Sequence, residues 1–115
     1  MIEKTLRSYL SSSELITCPV YLEVPAKAPG EFIVLEKTGT SRVNFVFNAT
    51  FAIQSYSTTL LKACELNEKV KQVMDAMIER SDIAKVSLNS DYNFTDTSTK
   101  KYRYQAIYTL TIMEE

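Results

Sequence analysis

The residues with the most evident chemical potential form a basic and aromatic run near the end of the chain: Lys100, Lys101, Tyr102, Arg103 and Tyr104. On a strand, such side chains can neutralise phosphates and stack on unpaired bases. The whole chain carries a net charge of -1, however, and so lacks the basic field that draws a protein to nucleic acid. A single-strand nucleic-acid-binding module that uses residues 100–104 is therefore the alternative interpretation, and we expect nucleic acid not to be the main partner.

The groups that most enzymes need are missing from the sequence. The chain has no histidine, which excludes the Ser-His-Asp triad and histidine-ligated zinc. Its two glycines are too few for a dinucleotide-binding or Walker A loop. Residues 91–96 begin like a calcium loop, but Asp96 stands where the EF-hand needs glycine. We therefore expect a protein that is not an enzyme, with no catalytic residues, no metal ligands and no cofactor.

The two cysteines and the apolar runs bear on the cellular location. Cys18 and Cys64 are expected to stay unpaired, because the first residues do not resemble a secretory signal. No run approaches the roughly 18 apolar residues that cross a bilayer. The sequence predicts a soluble intracellular protein with no membrane partner.

Hydrophobic periodicity predicts seven elements in the order αβββαββ. The helices are expected over residues 2–13 and 57–80, and the strands over 20–24, 32–37, 43–53, 86–94 and 102–112. Ser57 is the expected N-cap of the second helix.

The spacing also predicts which side chains face the core. In the third strand the apolar residues alternate with polar ones: Phe45, Phe47, Ala49, Phe51 and Ile53. In the second helix the expected buried stripe is Leu60, Ala63, Cys64, Val70, Val73, Met74 and Met77, with Glu65–Lys69 and Lys71–Asp75 pairs on the wet side. In the fourth strand the side chains expected to share one face are Val86, Leu88, Tyr92 and Phe94. In the fifth strand they are Tyr102, Tyr104, Ala106, Tyr108, Leu110 and Ile112.

These elements predict one α+β domain over residues 1–115. Two helices would cover one face of a mostly antiparallel five-stranded sheet, giving two layers. The strand order stays open, because the long helical crossover allows more than one placement.

Several apolar residues fall on the face of the sheet that the helices would not cover. Residues 32–35 are apolar on both sides of their strand, and Val46, Ala52, Ile107 and Met113 lie on outer faces. Together they predict a patch that a neighbouring subunit covers.

Three stretches of the sequence support a family resemblance. Residues 32–39, FIVLEKTG, and residues 49–56, ATFAIQSY, lead into the second helix, and residues 101–108, KYRYQAIY, open the last strand. In local sequence and in element order, residues 20–113 resemble the tail terminator and tail-completion proteins of long-tailed bacteriophages and prophages.

The resemblance implies a structural subunit that forms a ring, commonly a hexamer, on the head-proximal end of the tail tube. Such a ring stops tube polymerisation and docks to head-completion or connector proteins, so the partners would be further copies of this chain, the tube protein and the connector. The location would be the virion tail or neck, assembled in the cytoplasm of the host bacterium. Two loops are expected to make these contacts, through Pro25, Lys27, Pro29, Glu31, Asp96, Lys100, Lys101 and Arg103.

Overall fold

The computed structural model describes residues 1–113 and confirms the predicted α+β class and element order. The elements are α1 (Ile2–Ser12), β1 (Val20–Tyr21), β2 (Phe32–Val43), β3 (Val46–Ser57), α2 (Leu60–Ala76), a 3₁₀ turn (Met77–Glu79), β4 (Ile83–Asn93) and β5 (Tyr102–Met113).

The strands form one five-stranded sheet in the order β1-β2-β3-β5-β4. β1 runs parallel to β2, and every other neighbouring pair is antiparallel. The crossover through α2 thus places β5 beside β3 and leaves β4 at an edge. This order is a property of the tertiary structure that the sequence pattern left open.

Both helices cover the same face of the sheet, as predicted; we call this the inner face. Leu6 and Leu10 of α1 and Val70 and Met74 of α2 are fully buried against it. The Tyr9 hydroxyl of α1 donates a 2.6 Å hydrogen bond to the Val73 carbonyl of α2 and so ties the helices together. The strand residues beneath them alternate, with Ala49, Phe51, Ile53, Ala106, Tyr108 and Leu110 in the core.

The second and third strands differ from the prediction. β2 continues for six residues past Lys37, to Val43, and meets β3 through a two-residue turn at Asn44 and Phe45. Asn44 has a φ of 56°, a left-handed conformation that asparagine tolerates better than most residues. Phe45 therefore lies in the turn with 67% of its surface exposed, and its predicted place on the core face is wrong.

The second helix also begins later than predicted. Its N-cap is Thr59, whose Oγ1 accepts a hydrogen bond from the Lys62 backbone N–H at 3.1 Å, whereas Ser57 is the last residue of β3. Leu60 in the first turn is consequently exposed, and Cys64 is only half-buried. The buried stripe instead includes Leu66 and Asn67 along with the other predicted members: Ala63, Val70, Val73, Met74 and Met77.

The expected ion pairs along α2 are replaced by others. Lys71 Nζ lies 2.8 Å from Glu68 and 3.0 Å from Asp91 of β4, not on Asp75. Asp91 also accepts a 2.9 Å hydrogen bond from the buried Asn67 amide. Of these polar contacts of α2, the Lys71–Glu68 pair lies within the helix. The contacts of Lys71 and Asn67 with Asp91 join the helix to β4.

Two other strand predictions need correction. β1 has only two residues, so residues 22–24 belong to the following loop. In β4 a register shift between Leu88 and Ser90 puts Leu88 opposite inward-facing Tyr108 but Tyr92 opposite outward-facing Gln105. Val86 and Leu88 thus lie on the inner face and Tyr92 on the outer face, because the extra residue of a bulge reverses the alternation.

Candidate functional site

The two loops that the sequence singles out as contact regions lie side by side. A groove of about 390 Å³ separates the loop after β1 from the turn before β5. Four of the predicted contact residues line it, namely Pro25, Pro29, Lys100 and Lys101, with Val24, Ala26, Ala28, Phe32, Tyr56, Ser57, Thr58 and Tyr102. We call it the loop–turn groove.

The groove has an aromatic base on the outer face of the sheet. The rings of Phe32 and Tyr56 stack with centroids 4.4 Å apart and an interplanar angle of 7°, and Tyr21 meets Phe32 edge-on at 6.0 Å. Together with Val34 they form a second small core, separate from the one beneath the helices. Residues 32–35 are thus all buried in these two cores, and their predicted place in a surface patch between subunits is wrong.

The lysine wall of the groove is positively charged. Lys100 and Lys101 are exposed, and within residues 1–113 neither forms an ion pair. Lys100 has a φ of 54°, and the Lys101 carbonyl accepts a 3.3 Å hydrogen bond from the Asp96 N–H that closes the turn. None of the lining residues is a carboxylate.

Arg103, predicted as a contact, is engaged with groups of its own protein. Its Nη1 donates to the Tyr56 hydroxyl at 2.6 Å, and its Nε donates to the Phe94 carbonyl at 2.7 Å. The guanidinium also lies over the Phe94 ring at 4.4 Å and the Tyr56 ring at 5.5 Å. Arg103 therefore holds the turn to the sheet.

The remaining predicted residues lie around the groove. The Asp96 carboxylate accepts hydrogen bonds from the Ser98 hydroxyl at 2.7 Å and the Ser98 N–H at 3.0 Å, and these lower its pKa. Glu31 accepts a 3.0 Å hydrogen bond from the Ser57 hydroxyl and lines a smaller depression with Lys62 and Lys69. Lys27 is exposed in the loop, between two lining residues.

A second surface feature lies at the other end of the molecule. The twelve residues of β2 span about 40 Å, and the long axis of the protein measures 44 Å. At the far end Val43 and Phe45 are 69% and 67% exposed, and Met113 is 50% exposed. Val43, Val46 and Met113 face each other across three strands. We call Val43, Phe45, Val46 and Met113 the apolar tip. Residues 36–46, together with this tip, are called the arm.

Sequence reasoning missed the tip although a signal was present. Val43 and Val46 are strand residues on either side of Asn44, and an asparagine that opens a two-residue loop is typical of a β-hairpin. Phe45 also fits the alternation of apolar residues in β3. The pattern therefore predicts one continuous strand over residues 43–53, without a turn at Asn44 and Phe45.

The two cysteines and the acidic groups of residues 1–113 are the remaining candidates for a metal site or a reactive thiol. Cys18 and Cys64 are free, as predicted, and burial raises the pKa of the Cys18 thiol to about 11. A thiol with so high a pKa is a poor nucleophile near neutral pH. Within residues 1–113 no three acidic or cysteine side chains lie together as metal ligands, and none of the helices described there is long and apolar enough to cross a bilayer.

Comparison with known proteins adds no relative: no protein-family model matches the chain, and a search of curated proteins finds no significant match.

Proposed function

We propose that this protein is a ring-forming structural subunit and, following the sequence resemblance, a tail terminator or head-tail joining protein of a bacteriophage or prophage. In this role it is not an enzyme. It binds further copies of itself, caps the tail tube and offers its other face to the head-completion or connector protein.

The observation that carries the proposal is the arm. From Glu36 to Val43 every residue of β2 is exposed, and β1 pairs only with Ile33 and Val34, so this part of the edge has no neighbouring strand within residues 1–113. Exposed strand edges and apolar tips favour association, and monomeric proteins usually cover or charge them. A subunit contact would bury both.

The outer face of the sheet supports the same proposal. Its middle rows carry short uncharged side chains that bond to each other: the Thr50 and Thr109 hydroxyls lie 3.1 Å apart, and the Thr111 hydroxyl donates to Asn48 at 2.7 Å. Of the predicted apolar residues on this face, Met113 is exposed and Val46 and Ile107 are partly exposed, whereas Ala52 is buried within the subunit. A face with few charges loses little hydration when another subunit covers it.

The arrangement of the features fits a closed ring. We infer that the arm of one copy contacts a different surface of the next copy, so that the contact joins unlike surfaces. Head-to-tail contacts of this kind form rings when the rotation between neighbours closes. The two sides of such a ring differ, as a subunit between tube and connector requires.

Light scattering after gel filtration tests the assembly. We expect the parent protein to form a ring at high concentration and the Val43→Thr/Phe45→Ser variant to be monomeric, because both changes remove apolar surface at the tip while keeping strand and turn propensity. Leu61→Gln is the matched control, since Leu61 is equally exposed, at 69%, on α2. A parent protein that stays monomeric even with tube protein present, or an arm variant that assembles normally, would contradict the proposal.

The tail-specific part needs a separate test. The gene should lie between head genes and a tail-tube gene, and the protein added to that polymerising tube subunit should cap it. Electron microscopy should then show short tubes with the parent protein and long tubes with the arm variant. Equal tube lengths would reject the terminator function while leaving ring formation intact.

A further inference from the structure

We propose that the loop–turn groove binds a short acidic segment of another protein, with one large apolar side chain set between carboxylates. The groove is at the opposite end of the molecule from the apolar tip, so this binding does not depend on ring formation through the arm.

The apolar part of the groove fits a side chain of that kind. Its loop wall is made of Val24, Pro25, Ala26, Ala28 and Pro29, and its base contains Phe32 and Tyr56. The volume of about 390 Å³ is at the lower end of the range of sites that hold small ligands. Two prolines restrict the loop, and Gly30 lets it pass close to Thr58, where an added Cβ would lie 3.0 Å from the threonine methyl. The groove is therefore preformed, which lowers the entropic cost of binding.

The charges of the groove select an acidic partner. Lys100 and Lys101 form one wall, Lys27 lies between two residues of the other, and no lining residue is acidic. Neither wall lysine has an ion-pair partner in the part of the chain that the structure describes. Carboxylates on a bound segment would provide these partners beside the apolar base.

The backbone at Lys100 is a second, independent indication. Its φ of 54° is a conformation in which glycine or asparagine is favoured and other side chains cost about 1 kcal/mol or more. Lys100 therefore lines the groove from a strained turn. Such strain occurs preferentially at functional sites.

The geometry favours a peptide over nucleic acid. Phe32 and Tyr56 stack on each other and are 5% exposed, so their faces are not available to stack on a base. Arg103, the third cation of the basic run, is bound to Tyr56 and Phe94. The groove thus offers an apolar hollow with a charged wall, without the row of open rings that single strands need.

The test is an NMR titration of the ¹⁵N-labelled protein with the peptide acetyl-Asp-Glu-Phe-Asp-Glu-amide. We expect amide shifts confined to the loop after β1 and the turn before β5, and binding that weakens as salt is added. A peptide with alanine in place of phenylalanine should bind more weakly than the parent peptide. A peptide with Asn and Gln in place of Asp and Glu should also bind more weakly than the parent peptide. A single-stranded oligothymidine is titrated in parallel.

Two pairs of substitutions give the matched comparison. Lys100→Asn/Lys101→Gln should weaken peptide binding roughly three- to tenfold, the effect of losing two exposed charge pairs. Lys4→Gln/Lys85→Gln removes the same charge from residues that do not line the groove and should leave the affinity unchanged. Because asparagine suits the conformation at position 100, the first variant should fold at least as well as the parent.

Several results would overturn the proposal: no binding at millimolar peptide, equal binding of the amide peptide, or shifts outside the groove. Binding of oligothymidine alone would assign the groove to nucleic acid, and shifts that depend only on protein concentration would assign it to a second copy. Repeating the titration with the arm variant separates this proposal from the first, since a monomeric arm variant should still bind the peptide.

Discussion

Two residues other than glycine in the range 1–113 have a positive φ, and they differ in how well they suit it. Asn44, at 56°, belongs to a type that adopts the left-handed region readily. Lys100, at 54°, does not, because its Cβ crowds the backbone there.

Lys100→Asn should therefore stabilise the protein by up to about 1 kcal/mol, because the replacement relieves this strain. Urea unfolding followed by circular dichroism measures the change. Lys101→Asn, next in the chain but without the positive φ, is the control and should give no gain. A loss of stability in Lys100→Asn would show that the lysine side chain makes a stabilising contact.

Tyr108 gives a prediction about alkaline pH. Its side chain is fully buried, and its hydroxyl lies 3.3 Å from an Asp75 carboxylate oxygen. Burial first, and then the charge of Asp75, raise the pKa of this hydroxyl above the ordinary tyrosine value near 10. Above pH 10 the unfolded chain therefore releases a proton that the native protein keeps, and the free energy of unfolding falls as pH rises, by about 1.4 kcal/mol per pH unit for one group.

Tyr108→Phe removes that contribution. We expect similar stability at pH 7 to 9 and a shallower decline above pH 10, measured by urea unfolding as a function of pH. Some decline should remain, because hydrogen bonds to Glu68 and Asp91 raise the pKa of Lys71, whose contribution to stability is likewise lost at high pH. An unchanged slope would mean that Tyr108 ionises equally easily in both states.

Among the elements, α2 shows how a strand can displace a helix boundary. Ser57 is a good N-cap by type, but it is paired with Tyr102 in the sheet and donates its hydroxyl to Glu31. The helix therefore begins after Thr59, which has extended backbone and whose hydroxyl accepts the Lys62 N–H.

Thr59→Ala should lower the free energy of unfolding by about 1 kcal/mol, because the Lys62 N–H loses its acceptor. Thr59→Ser keeps an acceptor and should cost little. Thermal and urea unfolding measure both. If Ser57→Ala lowers helix content and Thr59→Ala does not, the cap is assigned to the wrong residue.

In β4 a single extra residue determines which side chains meet. The bulge between Leu88 and Ser90 turns Tyr92 to the outer face, where its hydroxyl accepts a 2.6 Å hydrogen bond from the Gln105 amide. Gln105 in turn accepts a 2.8 Å bond from Gln54. The bulge thus builds a polar chain across three strands of the uncovered face.

At the scale of the whole molecule, the helices cover only part of the inner face and leave the arm without a second layer. β2 and β3 have twelve residues each, which is longer than the helices that cover them can bury. Residues 32–35 of β2 are buried, and residues 36–43, which form most of the arm, are exposed. Backbone hydrogen bonds in such a region open easily.

Hydrogen exchange should reflect this asymmetry. In dilute protein we expect fast exchange for amides of residues 36–43 that point away from β3, and strong protection at Phe51 and Tyr108. On assembly the arm amides should slow, while Leu61 and its neighbours on α2 should not change. Mass spectrometry of peptides at low and high concentration measures both, and arm amides that stay fast in the assembled ring would place the contact elsewhere.

Local patterns in the sequence are enough to predict the fold class, the element order and most of the core. Alternation in β5 and the spacing of Leu6, Leu10, Val70 and Met74 are local patterns, and burial of one face follows directly from them. The family resemblance also pointed to the two loops, some of whose residues line the groove.

Local patterns do not specify the strand order, the hairpin at Asn44, the start of α2 or the pairing of the two loops into one groove. Each depends on contacts between residues far apart in the chain: Ser57 with Tyr102, Leu88 with Tyr108, Arg103 with Tyr56. A periodic pattern gives the face of a residue within its own element, but it carries no information about which distant strand or loop that face will meet.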